Sequence, residues 1–428
     1  MSTTPIRAAL VGLGCISQAV HLPVLRRNHR LVAIEALVEL SPARLARHAE
    51  LNGVPAQNRF GDVGALVGAI EEGRVHIDIA ILATSGSHVA DALALVGAGV
   101  RVLVEKPLAL SHSELDRLET GLARLGADPD EWIRVGYMKE YDPATARARH
   151  LIDGVRPRHL RVEVLHPTDA SQLRFARLDP PDEDVAPAVT AALAARTDEA
   201  VRDAIGGIAS DDTMRRLYTN VILGSVIHDI ALTRVLGLPI EEVLTAVHAG
   251  GSFPGSIVAQ GMIRPSTTED GPCGRAVPWH LGWHFIAGYP EYRERVVVHH
   301  DKGTIEIEFA TPYLLNAPTT LRIRSAASPL GSATSQSVWP QEEAFERELY
   351  EMVALARGEG RAGSVLPASR ADLAAAQRLW KACATSAGVI PDPDSEAAWS
   401  GGPVHDPPRP GPLAGRGRTA AGPTTLRR

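Results

Sequence analysis

The sequence predicts an α/β protein: a doubly wound parallel sheet at the N-terminus, then a second α/β domain on an open, largely antiparallel sheet. Two observations carry this. Over the first 110 residues, short apolar runs alternate with helical stretches, as buried parallel strands alternate with their crossover helices. In the second half, two strand-like segments are separated by only a short turn, the mark of antiparallel pairing.

The elements follow in order. Residues 7–12 (RAALVG) form a short apolar run and read as a buried strand, with a helical stretch to about residue 27. Residues 32–38 (VAIEALV) are the second strand. Ser41 and Pro42 then supply an N-cap and a first-turn proline for a helix to about residue 51. Residues 78–83 (DIAILA), a helix over 88–97 with Gly99 as its cap, and a strand over 100–104 complete the right-handed βαβ series. Farther on, residues 161–165, 294–300, 303–309 and 320–324 read as strands, with Asp301-Lys302 turning between the second and third. Phe345, Leu349, Met352 and Leu355 recur at helical spacing, as do Leu373, Ala376, Trp380 and Cys383. We therefore expect a parallel-sheet domain over residues 1–130 and a second domain over 131–390. Within the latter, residues 170–215 are an acidic, alanine-rich, partly helical insertion, read either as a lid or as a surface elaboration. Residues 391–428 are Pro/Gly/Arg-rich and are expected to be a disordered tail.

Composition narrows the function classes. The chain has 428 residues, a formal net charge of -6 and a pI near 6.2, which argues against a nucleic-acid partner because phosphate binding needs a basic face. No run of 18 apolar residues suggests a membrane partner, and the first residues lack a secretory pattern. Cys15, Cys273 and Cys383 are widely separated, so neither a disulfide framework nor a metal site is expected, and a cytoplasmic protein is. Lysine is scarce: Lys106, Lys139, Lys302 and Lys381 are the four.

Three motifs carry chemistry. Gly12-Leu13-Gly14-Cys15-Ile16-Ser17 follows the first strand and opens a helix. There Gly12 permits the tight turn, Gly14 admits a pyrophosphate to the backbone, and the helix N-terminus offers free amides. Ser17 stands where a third glycine is usual. Glu39 ends the second strand, where a carboxylate accepts hydrogen bonds from the adenine ribose and disfavours a 2′-phosphate; Arg44, a turn later, softens that preference. This is the fingerprint of a Rossmann domain binding NAD, with NADP as the alternative. Glu105-Lys106-Pro107 follows the strand over 100–104, placing Lys106 beyond a strand's carboxyl end, where a desolvated lysine exchanges a proton with an alcohol.

Together with Thr84-Ser85-Gly86-Ser87-His88, VLVEKPLA and the segment Gly136 to Pro143 (GYMKEYDP), these motifs resemble the glucose–fructose oxidoreductase/inositol dehydrogenase family, Gfo/Idh/MocA. The resemblance runs from residue 6 to about 390 and is thinnest in the insertion and over 250–290. It implies hydride transfer between nicotinamide and a secondary alcohol or ketone of a sugar, cyclitol or related polyol, in a homodimer or homotetramer. It implies Lys106 and His228 as catalytic residues and Lys106, Lys139 and His228 as substrate contacts. The implied cofactor set is Gly12, Gly14, Cys15, Ile16, Ser17, Glu39, Thr84, Ser85, His88, Glu105 and Lys106. One position departs: the family pairs an aspartate with the histidine four residues later, and here Gly224 precedes His228. Asn220 and Asp212 are candidate substitutes for that partner, and Asp229 reads as a solvated or capping group. His280 and His284 are not read as metal ligands. Gly224 keeps open a dinucleotide-binding protein without dehydrogenase activity. An NAD-using isomerase or lyase with no net redox change is also compatible.

Overall fold

The computed structural model describes residues 4–250, 252–263, 276–328, 331–360 and 363–389. The first sheet has six parallel strands: β1 (Ile6–Val11), β2 (Val32–Val38), β3 (Arg59–Phe60), β4 (Ile79–Leu82), β5 (Arg101–Glu105) and β6 (Ile133–Gly136). Their order is β3-β2-β1-β4-β5-β6, so the chain reverses direction across the sheet between β1 and β4, the place where such sheets open a ligand crevice. The apolar runs that predicted the central strands are buried on both faces: Ala8, Ala9, Leu10, Ile79, Ala80 and Leu82 are fully enclosed. Ser41 caps the Pro42–Leu51 helix as expected, its hydroxyl accepting from Arg44 N at 3.0 Å.

The second sheet has eight strands: β7 (Pro157–His166), β8 (Glu242–Ala249), β9 (Ser256–Ile263), β10 (Val277–Phe285), β11 (Arg293–His300), β12 (Gly303–Phe309), β13 (Thr320–Ser328) and β14 (Gly331–Val338). The order is β14-β13-β12-β11-β7-β10-β9-β8, antiparallel except for the β7–β10 pair. Sequence patterning misses β8, β9 and β14. Their alternation is diluted by small and polar residues, as in Glu242-Val243-Leu244-Thr245, because only one face of the sheet is covered. That inner face presents Leu160, Val162, Trp279, Trp283, Val296 and Val298.

Against it pack Leu217–Val226, wound as a π-helix, its continuation Ile227–Val235, and the long helix Val365–Ser386. The insertion is only partly a surface feature. Its helix Pro187–Ile205 is exposed at its start, but Ala200, Val201, Ala204 and Ile205 join the core. Residues 391–428 and Cys273 lie outside the described residues. Among those described, no helix is long and apolar enough to cross a membrane.

Two aromatic residues anchor the π-helical segment. Tyr218 donates to Leu110 O at 2.7 Å, on the loop that follows β5, and Trp380 donates to Met214 O at 2.9 Å while packing edge-on against Tyr218. Trp380→Ala should therefore lower stability by about 3–5 kcal/mol, the range for deleting a buried aromatic. The measurement is the midpoint of chemical denaturation, with Trp380→Phe expected to lose markedly less.

Candidate active site

The site begins at the turn after β1. Gly12 has φ +85°, and a Cβ there would lie 2.8 Å from Ala83 O, so only glycine fits both the conformation and the space. A Cβ on Gly14 would meet nothing within 4 Å. The backbone at Gly14 thus faces open space that a side chain would fill. The helix that follows leaves its first amides without intrahelical acceptors. Ser17, wholly buried, donates to Gly12 O at 2.6 Å and fastens the turn. Glu39 secures its other side, accepting from Leu13 N at 2.8 Å and from Ser41 N at 3.0 Å. These features fit a dinucleotide: an open cradle of backbone amides at a helix start, with a carboxylate at the end of β2.

At the end of β5, Glu105 pairs with His21 Nε2 at 2.8 Å rather than with Lys106. Lys106 reaches across to the second sheet's helices, where its ammonium donates to the Gly224 carbonyl. Burial, reinforced by the Lys139 charge and opposed by Glu105, pulls the Lys106 pKa below its ordinary 10.5. His228 lies in the same cavity, and burial followed by the charges of Lys106 and Lys139 drives its pKa well below 6.5, so the imidazole is neutral.

Beneath these lies a buried ion cluster. Lys139 pairs with Glu294 at 2.5 Å and lies 3.8 Å from Asp229; Tyr292 donates to the other oxygen of Glu294 at 2.6 Å. Burial alone would lower the Lys139 pKa, but the two carboxylates outweigh it and hold it above 10.5. Burial raises Asp229 well above the ordinary carboxylate range.

One cavity of about 310 Å³ gathers Gly14, Cys15, Ile16, Thr84, Ser85, Glu105, Lys106, Lys139, Gly224 and His228. The other predicted residues stand behind it. Gly12, Ser17 and Glu39 shape the turn, and His88 is enclosed, with Nδ1 3.2 Å from Thr84 Oγ1 and its pKa pushed down to about 4 by burial. Three expectations are corrected. Asn220 is engaged by the Thr219 hydroxyl, and Asp212 pairs with Arg216 on the surface, so neither serves His228. Asp229 is neither solvated nor a cap, because its helix turns it inward onto Lys139. His228 Nδ1 is buried without a hydrogen-bond partner. The cavity also brings in His166, Ser225, Tyr292 and Tyr313, which sequence reasoning missed. These sit at strand ends, on loops and within the π-helix, with no local pattern to mark them.

Removing one member of the buried cluster should be costly. Glu294→Ala leaves the Lys139 ammonium beside Asp229 alone and should destabilise by about 3–5 kcal/mol in a denaturation titration. Replacing both Lys139 and Glu294 by Met should recover most of that loss, because Asp229 is then free to stay protonated.

Residues 6–127 match the oxidoreductase family with an NAD-binding Rossmann fold, Gfo/Idh/MocA. A protein of Amycolatopsis mediterranei, provisionally named a UDP-kanosamine synthase oxidoreductase subunit, is 30% identical over 155 residues, 35% of this chain and 40% of that relative. The match thus spans well under half of the relative's length. Aldose-aldose oxidoreductase from Caulobacter crescentus, complexed with glycerol, has a similar fold at 17% identity, with a TM-score of 0.62 over 90% of this chain and 98% of its own. A 3-ketoreductase from Actinomadura kijaniata, in complex with TDP-benzene and NADP, matches at 16% identity and a TM-score of 0.59, over 89% and 98% of the two chains. The match to the Gfo/Idh/MocA oxidoreductase family thus lies in the parallel-sheet half and takes in the glycine turn at Gly12 and the Glu105-Lys106-Pro107 strand end.

Proposed function

We propose that this chain is an NAD(P)-dependent dehydrogenase or reductase, moving a hydride between nicotinamide and a secondary alcohol or ketone of a sugar, cyclitol or related polyol. The observation that carries the reading is the shared cavity: Lys106 and His228 face the same space as the Gly14-Cys15-Ile16 turn. The lining suits a ligand with several hydroxyls, since Lys106, Lys139, His166, Ser225, His228 and Tyr292 all present polar groups to about 310 Å³. The relatives act on aldoses and nucleotide-linked sugars by their names, which supports the same class here.

The dinucleotide, when bound, supplies the carbon that accepts or gives the hydride. Lys106 does the proton work. In oxidation its neutral amine takes the hydroxyl proton as the carbinol hydrogen leaves with its electron pair; in reduction its ammonium returns a proton to the carbonyl oxygen. The depressed Lys106 pKa makes both forms accessible nearer neutrality. His228, neutral, positions the substrate oxygen by a hydrogen bond. The Gly224 carbonyl takes the place of a carboxylate partner on that helix and orients the lysine instead. Lys139, committed to Glu294, contributes its positive charge beside the reacting oxygen. The uncovered outer face of the eight-stranded sheet, where Leu244, Val247 and Val258 are exposed, supports a homo-oligomer.

Calorimetry with NADH and NADPH tests the cofactor site, and a screen of polyols and keto sugars tests the chemistry. Failure of both dinucleotides to bind would sink the proposal. Release of free NADH separates net oxidation from transient oxidation within an isomerase or lyase. Lys106→Met should retain dinucleotide binding and lower kcat about 10²–10⁴-fold, the usual contribution of a positioned acid–base group. Alcohol oxidation should rise with pH through the Lys106 pKa, below 10.5, because the amine must be unprotonated. Ketone reduction should fall over the same interval, and the variant should lack both limbs.

A further inference from the structure

Residues 179–184 of the insertion, Asp179-Pro180-Pro181-Asp182-Glu183-Asp184, lie across the start of the Pro42–Leu51 helix. Asp184 accepts from Ala43 N at 2.8 Å. Asp182 accepts from Arg44 Nε at 2.9 Å and from Arg47 at 3.1 Å. Asp179 accepts from Arg47 Nε at 3.0 Å and meets His48 Nε2 at 2.9 Å. The strap is also tied to the glycine turn: Asp179 N donates to Gln18 Oε1 at 2.9 Å, and Gln18 donates to Leu13 O at 2.8 Å.

This contact sits where a dinucleotide-binding fold distinguishes a ribose hydroxyl from a 2′-phosphate, beside the acidic residue that ends the second strand. Without the strap the locality is mixed. Glu39 favours a hydroxyl, but Arg44, its guanidinium 4.0 Å from Glu39, Arg47 and the free amide of Ala43 together form a ready phosphate site. With the strap in place, those donors are held by the carboxylates of Asp179, Asp182 and Asp184.

Resting on the oxidoreductase reading above, we propose that this acidic strap is the chain's cofactor-specificity element: its aspartates occupy the 2′-phosphate subsite on Arg44, Arg47 and Ala43 and so select NAD over NADP. The strap belongs to the second domain and the subsite to the first, so discrimination is built by a contact between domains rather than by the end of β2 alone. A 2′-phosphate would have to displace three carboxylates or approach them at close range. An unphosphorylated ribose needs only the region around Glu39.

The test is equilibrium binding of NADH and NADPH, by calorimetry or by the fluorescence of the reduced nicotinamide, to the wild type and to Asp182→Asn/Asp184→Asn. The wild type should bind NADH at least about tenfold tighter than NADPH. The double variant should gain about tenfold or more for NADPH while NADH stays within about threefold, and the gained NADPH affinity should weaken with added salt. Adding Arg44→Ala to the double variant should abolish the gain. If the double substitution unfolds the protein, either single substitution should shift the NADPH/NADH ratio in the same direction by a smaller factor. A ratio unchanged in the folded variants, or tighter NADPH binding by the wild type, would overturn the strap proposal while leaving the oxidoreductase reading intact. Binding of neither dinucleotide by the wild type would remove both.

Discussion

The hydrogen bond from Lys106 to the Gly224 carbonyl joins the two halves of the molecule at the point where the chemistry is proposed. It runs from the end of β5 in the parallel sheet to a π-helix that lies under the antiparallel one. A lysine placed only by its strand would extend toward solvent from the crevice. Here the carbonyl holds the ammonium inside the cavity, and the same enclosure that lowers its pKa makes the hydrogen bond stronger. In a π-helix each carbonyl pairs five residues ahead rather than four, and such turns occur frequently at functional sites.

That arrangement requires the π-helical segment to be rigid, and several contacts make it so. Tyr218 ties it to Leu110 on the loop just beyond Lys106, Trp380 closes over Tyr218, and Trp283 of β10 donates to Ser225 at 2.9 Å. On the far side, Lys139, Asp229 and Glu294 bind the Met138–Tyr141 helix, the Ile227–Val235 helix and β11 into one buried cluster. A buried ion cluster adds little net stability compared with apolar packing, but it leaves few alternative arrangements open to its neighbours. Its electrostatic effect is clearer. The Lys139 charge adds to burial in pulling down the pKa of both Lys106 and His228, so the imidazole in the cavity is neutral.

Gly224 stands where the resemblance implies an aspartate. The side chain that would orient His228 is missing, Asn220 and Asp212 are turned elsewhere, and His228 Nδ1 has no protein partner. The lost interaction has not been rebuilt around the histidine. The backbone carbonyl at the same residue accepts from the Lys106 ammonium instead.

The parallel sheet was legible in the sequence because its signals are local. Apolar runs buried on both faces, Ser41 before Pro42, and the glycine turn each act within a few residues, and β2 and the Pro42–Leu51 helix match their expected bounds. Lys106 at a strand end was legible for the same reason. The partners of Asp229, the pairing of Glu105 with His21, and the recruitment of His166, Ser225, Tyr292 and Tyr313 join residues distant in sequence, with no periodicity to signal them. Strands β8, β9 and β14 escaped because a sheet covered on one side tolerates polar and small residues on the other. The acidic insertion was visible as composition, but its destination on Arg44, Arg47 and Ala43 was not. Charge can be read from a sequence, whereas the partner that a charge meets is set by how the two sheets pack.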